Sequence, residues 1–447
     1  PLFGRLSGAD QNRVFRAGRG RKVVVATNVA ETSVTVPGIR YVVDTGYARI
    51  SSYNVRARTM KLPITSVSRA SCDQRAGRCG RIGPGVCIRL YSEENYNDRL
   101  EFTPPEIVRS NLADVILRMI DLRLGNPEKF PFIDPPSPRA IRDGYSLLKE
   151  LGAISGSRKL TERGRIMAQL PLDPRVSRMI IEARNNNCLR EVVIIASALS
   201  VQDPRVRPAE FTKEADEAHG RFSSSHSDFL SYLLLWDLYH NVIDTIKSKS
   251  QLRKFCKNHF LAYQRMREWR DIHEQIWKVL ARRGRGKKGD KHPFLKSSCL
   301  QQQKVIDGKA RGRKGQKNHD NQEEKYKGGY DVIHQSILAG TLRNIGLKKE
   351  KNMYQGGQGK EVMIFPGSGQ FERGGQWIMA SELVETSRLF ARIVAPIKPE
   401  WIESLAGQLC RSSYSAPHWE KRQGHVVALE KVTLFGLIII AGRKVHY

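Results

Sequence analysis

The segment Gln74-Arg75-Ala76-Gly77-Arg78-Cys79-Gly80-Arg81 sets three arginines and two glycines on one short frame. Arg78 and Arg81 are three positions apart, so on a helical turn they share a face and converge on a single anionic group. Gly77 and Gly80 remove side-chain bulk beside them and let a partner approach the backbone. Two forked guanidiniums that never titrate, aimed at one point, suit a phosphate on which charge builds during a reaction. For an isolated Arg-x-x-Arg pair the competing reading is a solvated basic helix end. The surrounding segments decide between the two.

The elements that must position these arginines read as α/β. Lys22–Thr27 (KVVVAT) and Arg40–Asp44 (RYVVD) are short β-branched runs, the first patterned as a buried strand of a parallel sheet. Between them Asn28–Gly38 is a polar, turn-rich connection, the place where ligand loops of such sheets lie. Ala48–Leu62 alternates and carries Arg49, Arg56, Arg58 and Lys61, which predicts an exposed basic β-hairpin. Ser68–Cys79 reads as a helix capped by Ser68 or Ser71, and Val86–Leu90 as a closing strand.

At 447 residues the chain implies three or four domains. Its 75 Lys and Arg against 45 Asp and Glu give a net charge of +30, which points to polyanionic partners. No apolar run reaches membrane-spanning length, and the late run Leu434–Ile440 is strand-sized. Seven scattered cysteines with no Cys-x-x-Cys pair argue against a disulfide framework or a zinc knuckle and fit a reducing cytoplasm. The expectation for metal ligands within the chain is none. The chain starts at Pro1 in what reads as the middle of a domain, so it is expected to be part of something longer.

Beyond the α/β unit, Ile107–Leu122 has helical apolar spacing, followed by a proline-rich stretch, a helix around Arg139–Leu151 and a short turn, together suggesting a winged helix. Residues 175–277 read as helical, ending in one long amphipathic helix over Leu252–Trp277. Arg282–Lys327 holds 15 basic and 5 acidic residues, a net +10, with little apolar content; it predicts a disordered basic tether. From Gly329 short strands separated by Gly/Pro turns (Glu361–Phe365, Gln376–Ala380, Leu389–Ile393, Val426–Leu429, Val432–Phe435) predict an OB-like barrel.

Two of these segments carry a family resemblance. Ala26–Thr35 (ATNVAETSVT) resembles motif V of the DEAH-box helicases of superfamily 2, and Gln74–Arg81 (QRAGRCGR) resembles their motif VI. Phe255–Ile276, Trp377–Arg388 and Pro417–Glu420 resemble the bacterial HrpA branch. The resemblance implies a multidomain α/β, α and β architecture: a partial second RecA-like domain (1–104), a winged helix (105–172), a helical ratchet domain (173–281), the basic insert (282–328) and an OB-fold domain (329–447). It further implies an RNA helicase that couples ATP hydrolysis to movement along single-stranded RNA. Gln74, Arg78 and Arg81 would then face the γ-phosphate of ATP, with both arginines as arginine fingers. Thr35 matches a position at the ribose, and Phe15 an aromatic that stacks on adenine. Thr27 and Asn28 match residues on the RNA backbone, and the hairpin with Arg56 and Arg58 matches the strand-separating element. Contact to phosphate and sugar rather than bases is what a motor moving along any sequence requires.

The same resemblance implies a phosphate-cradling Walker A loop and a DEAH box holding Mg2+, and the chain reads as lacking both. The magnesium ligands are expected in a preceding half, and the chain is not expected to hydrolyse ATP alone. The alternatives are a non-enzymatic RNA-binding protein with a vestigial RecA-like domain, or a DNA-directed helicase of the same superfamily.

Overall fold

The computed structural model describes residues 1–447 apart from positions 5, 7, 17–19, 247, 284–323, 421–423 and 447. The N-terminal unit carries strands β1 (Tyr41–Asp44), β2 (Tyr47–Arg49), β3 (Ser52–Asn54), β4 (Thr59–Lys61), β5 (Ile64–Ser66) and β6 (Val86–Arg89). β1 and β6 pair in parallel, Tyr41 opposite Val86 and Val43 opposite Ile88, as an α/β unit requires. The expected strand Lys22–Thr27 is extended but not a buried ladder: among the described residues it makes one bridge, Leu2 to Ala26, and Val23 is 79% exposed. Its β-branched content was read as burial, but no described element covers it.

The winged helix forms from Ala113–Asp121, Pro138–Glu150 and Glu162–Gln169 around a short Ile154–Leu160 bridge. The stretch expected as one helix, Ile107–Leu122, is split into Glu106–Arg109 and Ala113–Asp121, because the Asn111 side chain accepts from the Ala113 N–H at 2.9 Å and restarts the helix. The ratchet helices Pro174–Asn185, Leu189–Leu199 and Asp228–Thr245 pack in one core around Trp269, whose indole N–H donates to the Ile194 carbonyl and Ser197 Oγ at 3.0 Å. The expected single helix over Leu252–Trp277 is broken into Lys249–Asn258 and Tyr263–Arg283. Phe260 takes φ +50° at the break, and the freed backbone pairs elsewhere: Val206 N–H donates to Phe260 O, and Ala262 N–H to Pro204 O, both at 2.8 Å.

Most of the expected basic tether, 284–323, lies outside the described residues. Its end does not match the expectation of disorder: residues 324–327 are helical, and Tyr326 is buried with its hydroxyl donating to Asp237 at 2.7 Å.

The barrel consists of β7 (Ile345–Lys348), β8 (Met353–Gly356), β9 (Glu361–Ile364), β10 (Trp377–Glu385) and β11 (Leu389–Ile397), closed by the β10–β11 pairing. Tyr354, Val362, Ile364, Ile378, Ala380, Ala391 and Val394 fill its interior. The two later strands expected in the barrel, Val426–Leu429 and Val432–Phe435, fall, apart from Phe435, within one continuous strand outside it. They belong to β13 (His425–Leu434), the centre of a separate antiparallel sheet with β12 (Arg411–Glu420) and β14 (Leu437–His446). Alternating burial over a bulge looks like two strands in sequence, which is why one was read as two.

The expectation of an exposed hairpin also fails. β3 and β4 do form a hairpin, but β4 pairs in parallel with β10 of the barrel, Met60 opposite Val384 and Lys61 opposite Glu385. The hairpin thereby extends the barrel sheet. It is held from the other side by the winged helix, where Tyr53 donates to Asp143 at 2.9 Å. A further joint links ratchet to barrel: the buried Asp228 carboxylate accepts from Ser368 Oγ at 2.5 Å and from the Gly369 and Val394 N–H groups at 2.9 and 2.8 Å.

Candidate functional site

The helix Arg69–Ala76 begins where Ser68 Oγ accepts from the Ser71 N–H at 3.2 Å and ends at Gly77. Arg78 and Arg81 therefore lie in the turn beyond the helix, not on a helical turn as their spacing suggested. The N–H groups of Arg78 and Cys79 donate to the carbonyls of Arg75 and Ala76, three residues back, so the chain tightens as it leaves the helix.

Arg75 anchors this turn. Its Nε donates to Glu31 at 3.1 Å and its Nη1 to Asp44 at 2.8 Å. Asp44 is 2% exposed and also accepts from the Gly46 N–H at 2.9 Å and the Tyr91 hydroxyl at 2.8 Å. Burial alone would raise the Asp44 carboxyl; the hydrogen bonds from Arg75, Gly46 and Tyr91 and the Arg75 charge hold it below the usual carboxylate range. One guanidinium thus joins the loop after Thr27-Asn28, the end of β1 and the helix that leads to Arg78. Sequence reasoning passed over the anchoring roles of Arg75, Asp44 and Glu31. The signal was present in the first arginine of QRAGRCGR and in a carboxylate closing a strand.

Arg78 is different. It is partly buried, and its Nε and Nη1 are shielded from solvent with no hydrogen-bond partner among the described residues. Leaving two guanidinium nitrogens dry and unbonded is costly, and an anion at that point would relieve it. Arg81 and Gln74 are exposed. Thr35, Thr27 and Asn28 are exposed on the loop beside the short helix Val29–Thr32, with the Thr27 N–H donating to Leu2 O at 3.0 Å. Phe15 is 41% exposed in the turn after the helix Gly8–Arg13.

The hairpin arginines part ways. Arg56 is exposed, its N–H held by the Asn54 side chain at 3.0 Å. Arg58 departs from the expectation of an RNA-facing group: its guanidinium pairs with Asp143 and with Glu150 (2.9 Å). Glu150 also pairs with Arg343 at the base of the barrel. Burial opposes ionisation of Glu150, but Arg343 and Arg58 hold its carboxyl below the usual range. Asp143 and Glu150, seven apart on one helix, present both carboxylates to the hairpin.

The expectation that the chain has no Asp-Glu-Ala-His run needs correcting, since Asp216-Glu217-Ala218-His219 spells one. Its placement is not that of a nucleotide site. The string lies within the ratchet helix Thr212–Gly220, Asp216 is paired with Arg207 at 2.6 Å, and His219 lies at hydrogen-bond distance from the Phe260 carbonyl, 3.2 Å. Among the described residues no group of three or more His, Cys, Asp or Glu is placed to hold a metal ion. No described helix is long and apolar enough to cross a membrane.

Comparison with known proteins matches four family models in the order of these units. Residues 1–83 match the helicase conserved C-terminal domain, and 145–172 the winged-helix helicase-associated domain. Residues 173–232 match the ratchet-like helicase-associated domain, and 333–409 the oligonucleotide/oligosaccharide-binding fold. Across its whole length the chain is 46% identical to the ATP-dependent RNA helicase HrpA of Escherichia coli K12 and 47% identical to the HrpA homolog of Haemophilus influenzae. The chain is an HrpA-like DEAH-box helicase C-terminal region. It spans about a third of the length of these relatives, 32% of each. The crystal structure of the E. coli DExH-box NTPase HrpB shares the fold over 99% of the chain and 44% of its own, with a TM-score of 0.64 at 22% identity.

Proposed function

We propose that this HrpA-like region works as the C-terminal part of an ATP-dependent RNA helicase, supplying the arginine fingers and part of the RNA track. The observation that carries this is the Arg78 guanidinium, held in place through Arg75 yet with two shielded nitrogens unbonded among the described residues. An oxyanion such as a phosphate is the partner chemistry that would satisfy those nitrogens. Bound ATP supplies the anhydride to be cleaved and the magnesium ion that accompanies it neutralises charge; the ligands for that ion are expected outside this chain.

In this reading Arg78 and Arg81 meet charge as it develops on the transferred phosphoryl group, with Arg78 turning its shielded nitrogens toward the anion as the site closes. Gln74 borders the same anion. Thr35 lies at the ribose and Phe15 against the base. Thr27, Asn28 and Arg56 contact the RNA backbone from exposed positions, while Arg58 fixes the hairpin that carries Arg56. The Asp44–Arg75–Glu31 link gives the phosphate-facing turn and the RNA-facing loop a shared support.

The reading also accounts for a bare apolar face. Tyr41, Val43, Val86 and Ile88 are each half-exposed or more on one side of the β1–β6 pair, although parallel sheets are normally covered on both sides. Most of each relative's length lies outside the match, so cover from the nucleotide-holding half is expected there.

The test is Arg81→Ala in the full-length protein. RNA-stimulated ATPase falls by about 10³-fold or more, the scale of an arginine finger, while RNA affinity stays nearly constant. ATPase that survives the change would refute the assignment and favour a non-enzymatic RNA-binding role. Competition between RNA and DNA oligonucleotides of one sequence separates the RNA reading from a DNA-directed one.

A further inference from the structure

The sheet β12–β14 lies beyond the matched oligonucleotide-binding fold, which ends at residue 409, and no role is attached to it. Its base is rooted: Leu434, Leu437 and Ile439 enter the main core, and Phe435 caps Arg343 with its ring 4.2 Å from the guanidinium carbon. The two faces of the sheet then differ in charge. On one, Tyr414 stands opposite Glu430 and Glu430 opposite Arg443, and Arg443 is consumed by Glu430 at 2.7 Å and by Glu403 of the neighbouring helix at 2.6 Å.

The other face follows from register. Arg411 lies opposite Thr433, Ser413 opposite Lys431, Ser415 opposite Leu429, Leu429 opposite Lys444, and Val427 between His418 and His446. Arg411, Lys431 and Lys444 therefore fall on a diagonal that crosses the three strands, each advanced by one same-face position. With about 6.8 Å between same-face residues and about 4.8 Å between strands, the steps are about 8 Å. All three are exposed, and none has an acidic partner among the described residues. Ser413, Ser415 and Thr433 between them are small, so nothing screens the cations. Glu420, beside His425 at the far end, is the one acidic side chain this face presents among the described residues.

We propose that this face is a second nucleic-acid contact, a phosphate track for single-stranded RNA separate from the Thr27-Asn28 loop. Three unpaired cations in a line match a linear polyanion, whereas a protein partner of ordinary composition would need several apolar anchors, and among the described residues this face exposes one large apolar side chain, Ile438 opposite Thr433. The track reads no bases, so it adds affinity and holds strand without interfering with movement. This proposal rests on the RNA-directed reading above.

The experiment uses the 447-residue chain and a fluorescently labelled oligouridylate, with affinity measured by anisotropy across a salt series. Changing Arg411→Gln, Lys431→Gln and Lys444→Gln together should lower affinity at low salt and make the log–log salt slope shallower by about 2, which is about 0.7 for each lost single-strand contact. A control with Lys349→Gln and Lys398→Gln, whose ammonium groups already pair with Glu361 and Asp331, should leave the slope near that of the unmodified chain. If the triple variant melts early, Lys431→Gln alone should still reduce the slope by about 0.7. A triple variant that melts normally and keeps the original slope overturns the track and leaves this face to a protein partner. Absence of RNA binding by the unmodified chain would overturn both readings together.

Discussion

Two arginine sites of this chain, Arg78 in the turn between the helix Arg69–Ala76 and β6, and Arg58 at the hairpin–barrel junction, look alike in sequence and are opposites in the fold. Each is a basic residue near a turn; Arg78 was read as facing the γ-phosphate of ATP and Arg58 as an RNA-binding residue of the strand-separating hairpin. Arg58 meets two carboxylates of the helix Pro138–Glu150, one of which also holds Arg343. Arg78 meets none among the described residues, and two of its nitrogens are left dry. A folded protein satisfies its buried cations where they only hold structure, and leaves one unsatisfied where a ligand is to arrive. On the proposed reading, the contrast distinguishes an arginine held for structure from one kept for a ligand. Arg75 shows that the two can adjoin: it is fully engaged, and its engagement is what fixes the turn carrying its unengaged neighbour.

The comparison can be broken most forcefully at Glu150. Glu150→Ala leaves Arg58 and Arg343 facing each other across a partly buried gap, and a loss of about 3 kcal/mol is expected, read as a drop in the denaturant midpoint. Little change would mean that the junction is not the clamp described here. Next in size is Asp228→Ala, which strips the Gly369 and Val394 N–H groups of their acceptor and should cost about 2 kcal/mol, visible as faster amide exchange where ratchet meets barrel.

A pH effect follows. His334 is buried and its imidazole is pushed down to about 4 by desolvation, with Nδ1–H donating to Tyr330 O and Nε2 accepting from Ser227, both at 2.7 Å. Between pH 6.5 and about 4 the unfolded chain takes up a proton that the folded one refuses, so stability falls as pH drops through that window. His273, also held down to about 4 by burial, acts in the same sense. Thermal midpoints at pH 7.5 and pH 5 should differ, and His334→Gln should narrow the gap; a gap unchanged by that substitution would contradict the assignment. Smallest is Lys61→Ala. The Lys61–Glu385 pair at 2.8 Å is about a third exposed, so its loss should cost under about 1 kcal/mol by double-mutant cycle, far below Glu150.

What was legible in the sequence was local. The strings ATNVAETSVT and QRAGRCGR, the succession of α/β, helical and barrel units, and the serine cap of the helix Arg69–Ala76 are each contained in a few neighbouring residues. What was not legible depends on residues far apart in the chain. The β4–β10 pairing joins positions more than three hundred residues apart, and nothing in either strand announces it. The helix break at Phe260 arises because the 204–206 backbone competes for its peptide groups. Val23 and Val25 show the reverse error, since their types indicate what a strand buries when its neighbours are present. At the proposed site, motif spacing singled out Arg78 and Arg81 as candidates but put them on a helical turn that ends before them. Which arginine is engaged and which is not can be seen only when the carboxylates are in place.

The most direct measurement is a paired one on the full-length protein, Arg78→Ala against Arg58→Ala, each scored for ATPase rate and thermal midpoint. Arg78→Ala should remove most RNA-stimulated ATPase while the midpoint holds or rises, because an unsatisfied cation has been deleted. Arg58→Ala should lower the midpoint, since Asp143 and Glu150 lose a shared partner, with a far smaller change in the ATPase of the folded fraction. The reverse pattern, a destabilised Arg78→Ala that still turns over ATP beside a stable, inactive Arg58→Ala, would contradict the account.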